Sequence, residues 1–499
     1  MLKDDLNLLI AYAKKNLKLE GLNEIYVRNT LMKKFNIEEE YYDTDTSIVN
    51  DLVRPDILIE KLSKDLVDNG FALEENVHLL VDEIFGDLSL SPNEFLIEFK
   101  KIEESKGKEE ALEFFYDYQI KNNYIQKTAI EKNIHWNEEK LKYPIEISIN
   151  LSKPEKKNSD IAKLKLVKSS SYPKCLLCKE NLGFYGDEKK APRRTIRFVP
   201  VDLDDAIWYL QYSPYGYYYQ HAICFSDKHS DMVINKTTFK KLLQFVDLYP
   251  SFFMGSNADL PIVGGSILNH EHFQGGNYVL PLFKSLDKKE YKFDKYSSLK
   301  ITKLDYYHAT LKVVGDNIEE IASFADEVLN IYKNFDAEEI DLISRTDVLH
   351  STITPICRKE NNKFALYLIF RNNRTNEVEE GGIFHAHKIH HHIKSEGIGL
   401  IEAMGLFILP PRLISEMKNI SDILQGKVSK EEFNNEKYSN MIDELLIKYG
   451  NKNSLEYSKN ILKEYIAETC EDILKNISVF KDDELGNKYF DLLMTKVGE

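Results

Sequence analysis

The first third of the chain carries the apolar spacing of amphipathic helices. Apolar residues recur three and four positions apart in DDLNLLIAYAKKNL, SIVNDLVRPDILIEKLSKDLV and SPNEFLIEFKKIEESKGKEEALEFFYDYQI, which is the period of a helix with one buried face. Pro92 directly follows Ser91 and suits the first turn of a helix. The pattern predicts helices up to about residue 145, in a region that packs against or frames a later domain.

The pattern changes to that of strands beyond a polar stretch, KPEKKNSDIAKLKL, at residues 153–166. β-Branched and aromatic residues crowd the segments TIRFVPVDL, IWYLQYSPYGYYYQHAICFS and MVIN within residues 195–236, and such residues favour strands. TTFKKLLQFVDLYPSFF has helical spacing, and a glycine-rich turn and a further strand follow it. The polar stretch therefore marks a boundary between a helical region and one that mixes strands with helices.

A second series of strands and helices follows in a similar order. YYHATLKVVG is strand-like, NIEEIASFADEVLNIYKNF has helical spacing, and HSTITPICRKENNKFALYLIFRNNR predicts two strands around the polar turn KENNK. From about residue 415 the chain returns to helical spacing. These patterns predict an α+β protein with a loosely duplicated unit, divided into residues 1–150, 151–295, 296–413 and 414–499.

Composition narrows the class of protein. The 499 residues carry a formal net charge of −15 at pH 7, which argues against broad nucleic-acid binding because such binding needs a basic face. Five cysteines in so long a chain do not indicate a disulfide framework. The charged N-terminal segment is not expected to be a signal peptide, and no apolar run approaches the ~18 residues that cross a bilayer. We expect a cytoplasmic protein with no membrane or nucleic-acid partner.

The segment GGSILNHEHFQGG, residues 264–276, is the most distinctive part of the chain. Residues two apart in a strand point to the same face, so His270, His272 and Gln274 are expected to share one side. Glycine pairs flank the motif and let another backbone or a phosphate approach closely. Two histidines on one strand also occur as half-buried polar residues without a reactive role. The glycine frame and the glutamine favour a site that holds a phosphate against an imidazole.

On this motif and on the segment FRNNRTNEVEEGGIFHAHKIHHHIKSEGIGLIEAMGLFILPPRL, the chain resembles the galactose-1-phosphate uridylyltransferases of the histidine-triad superfamily. The family motif is His-x-His-x-Gln, which residues 270–274 match. The likeness is closer to the second, bacterial class, which carries an extra N-terminal helical region. Glu271 stands where the first class has proline, which fits the second class and leaves the role of Glu271 open. The likeness covers about residues 172–413 and implies two histidine-triad-like (HIT-like) antiparallel-sheet lobes, 151–295 and 296–413, between an N-terminal helical region and a helical C-terminal tail.

The resemblance implies a transferase of galactose metabolism, in the Leloir pathway. His272 would attack the α-phosphorus of UDP-glucose, glucose 1-phosphate would leave, and galactose 1-phosphate would take the uridylyl group in a ping-pong cycle. A neutral imidazole is a good nucleophile near pH 7, and Gln274 would donate a hydrogen bond to a phosphoryl oxygen. Glutamine cannot exchange protons, which suits transfer between phosphates because their leaving groups need little protonation. The resemblance also implies a homodimer.

Cys175 and Cys178 stand in a Cys-x-x-Cys turn, which forms half of many structural zinc sites. A pair of reduced cysteines without a metal is the alternative, whereas a redox pair lacks its thioredoxin-like context. The resemblance to the first class supplies two more ligands, the histidine that follows CFS, here His229, and the first histidine of the motif, His270. Zinc bound by these four residues would hold the nucleophile strand to the preceding lobe.

Basic and polar residues beyond the motif are candidates for phosphate binding. The segment PRRTIR places three arginines together, and the arginine fork suits phosphate; a solvated loop or a subunit contact is the alternative. Arg371 opens a similar polar cluster, RNNR, after a strand. By resemblance, Asn257 and Ser266 approximately match family positions around the uridine and the phosphate. The candidate substrate-binding residues are Arg193, Arg194, Arg197, Arg371, Asn257 and Ser266.

The tract HAHKIHHH, residues 385–392, holds five of the 13 histidines. It is a candidate to bind a second metal or the sugar phosphate. In the first class of the family a His-x-His pair in this region joins an auxiliary metal site, and by resemblance His350 of this chain is a candidate for a further member. A strand whose histidines hydrogen-bond between the lobes is the alternative. The tract therefore yields no assigned ligands.

Two other functions stay open at this point. A histidine-triad phosphorylase or hydrolase of dinucleoside polyphosphates would release UMP or a nucleoside diphosphate, although Gln274 in place of a third histidine weighs against hydrolysis. A non-catalytic, zinc-stabilised sugar-nucleotide binding protein would bind without turnover and would tolerate the loss of His272. The acceptor range beyond galactose 1-phosphate and the use of UTP as donor also stay open.

Overall fold

The computed structural model describes residues 2–38, 44–151, 171–187 and 190–498. The boundary predicted at residues 153–166 lies outside the described residues. The chain divides into two compact units, Met1–Glu131 with Lys156–His229, and Lys132–Glu155 with Ser230–Glu499. The four-part division predicted from the sequence stays a prediction, since these two compact units do not distinguish a catalytic lobe from a second lobe.

Helices occupy most of the first unit up to residue 130, as their spacing predicts. Apolar residues one turn apart, such as Phe95 and Phe99, are buried. The predicted start at Pro92 is confirmed, because Ser91 and Glu94 form a capping box there. The helices of this unit are Leu2–Asn16, Leu22–Lys34, Asp56–Asp68, Val77–Leu88, Pro92–Lys106, Lys108–Lys121 and Lys127–Ile130.

Strands begin at residue 134. The prediction of helix up to about residue 145 is wrong over its last part, because IHWNE forms a strand and IEISI, just beyond it, forms another. The second of these alternates at the period of two that marks strands. The strands are β1 Ile134–Glu138, β2 Ile145–Ile149, β3 Val199–Leu203, β4 Ala206–Tyr212, β5 Ala222–Ser226, β6 Phe253–Gly255, β7 His272–Gly276, β8 Leu286–Tyr291, β9 Lys300–Asp305, β10 Thr310–Gly315, β11 Ser351–Glu360, β12 Lys363–Asn372 and β13 Leu406–Leu409.

In the first unit β3, β4 and β5 pair in antiparallel fashion. Residues along β3 are buried and exposed in turn, the pattern of a strand with one face on a core. Asp204 and Asp205 join β3 to β4 with positive φ angles of 53° and 59°, as a two-residue type I′ hairpin turn requires. The strands predicted from TIRFVPVDL and IWYLQYSPYGYYYQHAICFS are confirmed here. The strand predicted at MVIN, residues 232–235, is wrong, because Asn235 instead caps the helix Lys236–Leu248 that follows directly.

The second unit holds a larger antiparallel sheet in the order β7-β6-β11-β12-β10-β9-β8. Asn361 and Asn362, both at positive φ, close the hairpin of β11 and β12, which confirms the polar turn predicted at KENNK. The helices Lys236–Leu248 and Ile318–Tyr332 pack on this sheet, because each buries one apolar stripe. The second half of the histidine motif lies on β7, at one end of this strand order.

Three further strands and the C-terminal helices complete the second unit. β1 pairs antiparallel with β2, and β13 pairs with β2 in parallel. Helical ends around antiparallel sheets make the fold α+β, as predicted. Over the described residues no helix is both long and apolar enough to span a bilayer. The remaining helices are Leu400–Ala403, Arg412–Leu424, Lys430–Phe433, Ser439–Tyr449, Leu455–Asn476 and Glu484–Thr495.

Candidate active site

The histidine motif lies at the start of β7. The strand begins at His272 and runs antiparallel to β6, where Gln274 faces Gly255. His272 and Gln274 therefore share one face by strand alternation. His270 and Glu271 precede the strand, so the expected alignment of His270 with the other two side chains stays a prediction.

His272 is oriented by the chain's own backbone. Its Nδ1 lies 2.8 Å from the carbonyl oxygen of His270, and because a carbonyl only accepts, Nδ1 carries the proton in this contact. In the neutral ring the other nitrogen, Nε2, is then unprotonated. His272 is 4% exposed, and this burial lowers its pKa to about 4, so the imidazole is neutral at pH 7. A neutral imidazole with an unprotonated Nε2 has the chemistry of a nucleophile.

Glu271, the residue between the two motif histidines, forms an ion pair with the helix Lys236–Leu248. The Nζ of Lys241 lies 3.1 Å from Glu271 Oε1 and 3.4 Å from its Oε2. The Lys241 and Glu271 side chains are only 12% and 18% exposed, so solvent screens the pair in part. The pair links the segment before β7 to the helix that packs on the sheet.

The glycines that flank the motif make room for the chain's own backbone. A Cβ on Gly275 would lie 2.0 Å from the carbonyl oxygen of Phe253, and one on Gly264 would lie 2.5 Å from that of Ala258. Only glycine permits such approaches. The prediction that these glycines admit a close neighbour is confirmed, and the neighbour is protein backbone at both positions.

Cys175, Cys178 and His229 come together within the first unit. The two sulfur atoms are 3.6 Å apart, the Cys178 Sγ is 3.2 Å from the His229 Nδ1, and all three ligand atoms lie within 4.8 Å of one another. Tetrahedral zinc, with bonds of about 2.0–2.3 Å, places its ligand atoms roughly 3.3–3.8 Å apart. These three residues could therefore hold a metal ion. His270, the fourth predicted ligand, is buried in the second unit.

The three arginines of PRRTIR differ in what they contact. Arg194 Nη2 lies 2.6 Å from Asp87 Oδ1. Arg197 is 3% exposed and its Nε donates to the Leu90 carbonyl oxygen at 2.9 Å; burial lowers the pKa of this guanidinium. Protein groups thus engage both residues, and they hold the segment to the helical region. Contact of these arginines or of Arg193 with substrate stays a prediction.

The candidate substrate-binding residues of the second unit lie in different settings. Asn257 is 4% exposed and Arg371 is fully buried. Arg371 donates to the carbonyl of Ile398, in the turn that leads into the helix Leu400–Ala403, and Asn257 accepts from the N–H of Leu400, the first residue of that helix. Ser266 is exposed, in the glycine-rich segment before the motif. The structure brings Asn257 and Arg371 to one turn and leaves Ser266 at the surface. Contact of any of them with substrate stays a prediction.

The histidine tract HAHKIHHH is not a strand, and it contains a short 3-10 helix. The His385 Nε2 accepts from the Ile398 N–H at 3.0 Å, and His387 and His391 hydrogen-bond to backbone carbonyls. His350 hydrogen-bonds through both ring nitrogens to neighbouring side chains. These bonds give the tract a role in holding backbone, and the expected second metal stays a prediction.

Sequence models of known families match two parts of the chain. The N-terminal domain of galactose-1-phosphate uridyl transferase matches residues 87–231, and its C-terminal domain matches residues 245–436. Together with a buried neutral imidazole and a glutamine on one strand of an α+β fold, these matches define an enzyme that is a nucleotidyltransferase. The chain belongs to the galactose-1-phosphate uridylyltransferase family.

Relatives that carry the name galactose-1-phosphate uridylyltransferase span almost the entire chain. The protein from Fusobacterium nucleatum is 38% identical over 99% of this chain and 98% of its own length. That from Clostridium acetobutylicum is 38% identical over 98% and 99%, and that from Bacillus subtilis is 34% identical over 99% and 98%. A solved yeast Ap4A phosphorylase aligns at 8% identity with a TM-score of 0.31 over 64% of this chain and 88% of its own, a likeness too slight to carry an argument.

Proposed function

We propose that the protein is a UDP-glucose—hexose-1-phosphate uridylyltransferase, which passes UMP from UDP-glucose to galactose 1-phosphate through a uridylyl group on His272. The hydrogen bond of 2.8 Å between His272 Nδ1 and the His270 carbonyl carries the proposal, because it leaves Nε2 as the unprotonated nitrogen. The names of the relatives support galactose 1-phosphate as a substrate and the uridylyl group as what is transferred. A homodimer stays a prediction.

The first half-reaction forms a bond between Nε2 of His272 and the α-phosphorus of UDP-glucose. The phosphorus–oxygen bond to glucose 1-phosphate breaks, and the leaving oxygen keeps the electron pair. The ring now bears positive charge, and its Nδ1–H continues to donate to the His270 carbonyl, which stabilises that charge.

The second half-reaction reverses the first with a different sugar phosphate. A phosphate oxygen of galactose 1-phosphate attacks the same phosphorus, the phosphorus–nitrogen bond breaks, and the electron pair returns to Nε2 as UDP-galactose leaves. Neither half-reaction requires a proton to move, because both leaving groups are stable as they depart. A site with glutamine in the third motif position suits such chemistry.

Gln274 would act on the same phosphoryl group. It lies two residues after His272 on one strand face, a separation of roughly 7 Å between their backbones. A phosphoryl group bonded to the imidazole extends into this interval, where the side-chain amide can donate to an oxygen that gains negative charge in the transition state. Gln274 is half-buried, which strengthens such a bond relative to one in water.

Structural zinc, bound by Cys175, Cys178, His229 and His270, is part of the proposal. The clustering of the first three ligand atoms and the 1% exposure of His270 support it. A bound zinc ion would supply positive charge and strong bonds to these four side chains. Anchoring the His270 side chain would also fix its carbonyl, which is the acceptor that sets the tautomer of His272.

Isotope exchange tests the two-step scheme. Protein mixed with UDP-glucose and labelled glucose 1-phosphate, without any galactose 1-phosphate, should move label into UDP-glucose, because the first half-reaction runs and reverses alone. His272→Asn should abolish the exchange. UDP-galactose formation without this exchange would indicate direct transfer in a ternary complex and overturn the histidine intermediate. Release of UMP without transfer would overturn the transferase itself.

A further inference from the structure

The strand register of the second unit extends the face that carries the nucleophile. Gln274 on β7 faces Gly255 on β6, and Gly255 also faces Ile356 on β11. Directly opposed residues share a face, as do residues two apart on one strand. The face of Gln274 and His272 therefore continues through Ile356 to every second residue of β11.

Arg371 lies on this same face. Thr352, four residues before Ile356 on β11, faces Arg371 near the end of β12, and the pairing between the two strands is unbroken. The guanidinium is fully buried, and its Nη2 donates to the Ile398 carbonyl oxygen at 3.0 Å. Among the residues that the structure describes, its Nε and Nη1 have no hydrogen-bond partner. Burial lowers its pKa to about 10, so it remains a cation at neutral pH.

Residues 398–403 form a turn that winds into the short helix Leu400–Ala403, and this turn covers the face beside Gln274. A Cβ on Gly255 would lie 2.8 Å from the Cδ1 of Leu400, so Leu400 lies over the residue that faces Gln274. Leu400 is 1% exposed. The turn is therefore a wall next to the glutamine, and a displacement of the wall changes the space in which the glutamine acts.

Side chains from separate parts of the sequence hold the backbone of this turn. The Ile398 N–H donates to Nε2 of His385 at 3.0 Å, while Arg371 binds the carbonyl of the same residue. The Leu400 N–H donates to Asn257 Oδ1 at 2.9 Å. Side chains thus bind both the N–H and the carbonyl of Ile398. This is unusual for a turn, because backbone polar groups bond mostly to other backbone groups or to water.

Asn257 also connects the turn to the segment before the histidine motif. A Cβ on Gly265 would lie 2.9 Å from the Asn257 Nδ2, and one on Gly399 would lie 3.1 Å from its Oδ1. The side-chain amide of Asn257 therefore packs between Gly265, which precedes the histidine motif, and Gly399 of the turn. A shift of either segment is transmitted to the other through this side chain.

We propose that Arg371, His385 and Asn257 are positioning residues, which fix the turn at residues 398–403 as a rigid wall beside Gln274. This inference rests on the proposed function, in which Gln274 stabilises the phosphate that reacts. The exposures of the three side chains, 0%, 6% and 4%, and their bonds to the turn support a role in holding backbone over contact with substrate. Their loss should slow the chemical step and leave substrate affinity in place.

Two substitutions remove the bonds to Ile398 one at a time. Arg371→Lys keeps the charge but loses the planar fork, and His385→Leu removes the acceptor of the N–H. Three quantities are measured: the single-turnover rate of UMP transfer to galactose 1-phosphate, the dissociation constant of UDP-glucose by calorimetry, and hydrogen–deuterium exchange at residues 395–404. The transfer rate should fall about ten- to a hundredfold with the dissociation constant changed less than about twofold. Exchange in the turn should accelerate.

The conservative variant and a matched control complete the design. His385→Gln restores an acceptor and should recover most of the lost rate. Arg374→Lys is the control, because the Arg374 guanidinium contacts Asp341, and it should leave all three quantities near wild type. A weakened affinity with an unchanged transfer rate would show that Arg371 contacts substrate and would overturn the proposal.

Two further outcomes are distinguishable from each other. Wild-type transfer and wild-type exchange in His385→Leu would show that the turn needs no such support, which also overturns the proposal. If Arg371→Lys does not fold, His385→Leu and His385→Gln decide the question without it. If the wild-type protein itself makes no UDP-galactose, the proposed function fails. The exchange rates of the turn still test whether the side chains hold it.

Discussion

Gly275→Ala tests whether the packing of β7 against β6 sets the position of His272, the proposed nucleophile. The added Cβ would lie 2.0 Å from the Phe253 carbonyl oxygen and 2.9 Å from the Met254 Cα, although Cβ atoms essentially never come within 3.0 Å of such neighbours. The two strands must therefore separate by about 1 Å, and overpacking of this kind costs about 1–3 kcal/mol. His272 is three residues away on the same strand, and a displacement of about 1 Å costs on the order of a hundredfold in rate.

The assay is the initial rate of UDP-galactose formation, with the melting temperature measured in parallel. We expect a rate about a hundredfold lower and a lower melting temperature, by roughly 1–2 °C for each kcal/mol in a chain of this size. Gly381→Ala is the matched control, since nothing lies within 4 Å of its added Cβ, and it should behave as wild type. A Gly275→Ala protein with the wild-type rate would refute the reasoning.

Three further predictions concern the metal site, the ion pair and pH. Cys175→Ser should lose zinc, measured by plasma mass spectrometry, and melt at lower temperature, because structural zinc adds to folding energy; an unchanged zinc content would contradict the assignment. Glu271→Gln leaves Lys241 without its counter-charge and should cost about 1 kcal/mol, whereas a wild-type melting temperature would show that the pair adds nothing. Burial, followed by the Arg371 charge, lowers the pKa of His385 to about 3, so the unfolded state binds more protons and stability falls as the pH drops from about 6.5 towards 3. In urea unfolding His385→Gln should lose less stability over this window, and parallel curves for the two proteins would argue against the buried neutral histidine.

Much of the candidate site is predictable because its signals are local in sequence. His272 and Gln274 lie two residues apart on a strand, so alternation alone places them on one face. Cys175 and Cys178 are brought together by a single turn, and their sulfur atoms are indeed 3.6 Å apart. The helices of the N-terminal region and the hairpin of β11 and β12 follow from period and turn residues in the same way.

The parts that escape prediction depend on contacts between distant residues. Arg197 has the sequence context of a phosphate ligand, yet it donates to a carbonyl 107 residues earlier, and nothing in PRRTIR marks it as buried. Arg371 likewise donates to the carbonyl of Ile398, 27 residues later. Helical spacing precedes the strand β2 and obscures it, although its sequence, IEISI, alternates with the period of two that marks a strand.

Intact-protein mass spectrometry after mixing with UDP-glucose, at neutral pH and without an acceptor, tests the central claim most directly. We predict a uridylyl-sized adduct that is absent in His272→Ala and disappears when galactose 1-phosphate is added. No adduct on a folded protein that binds UDP-glucose, or an adduct that persists in His272→Ala, would contradict the role of His272 as the nucleophile.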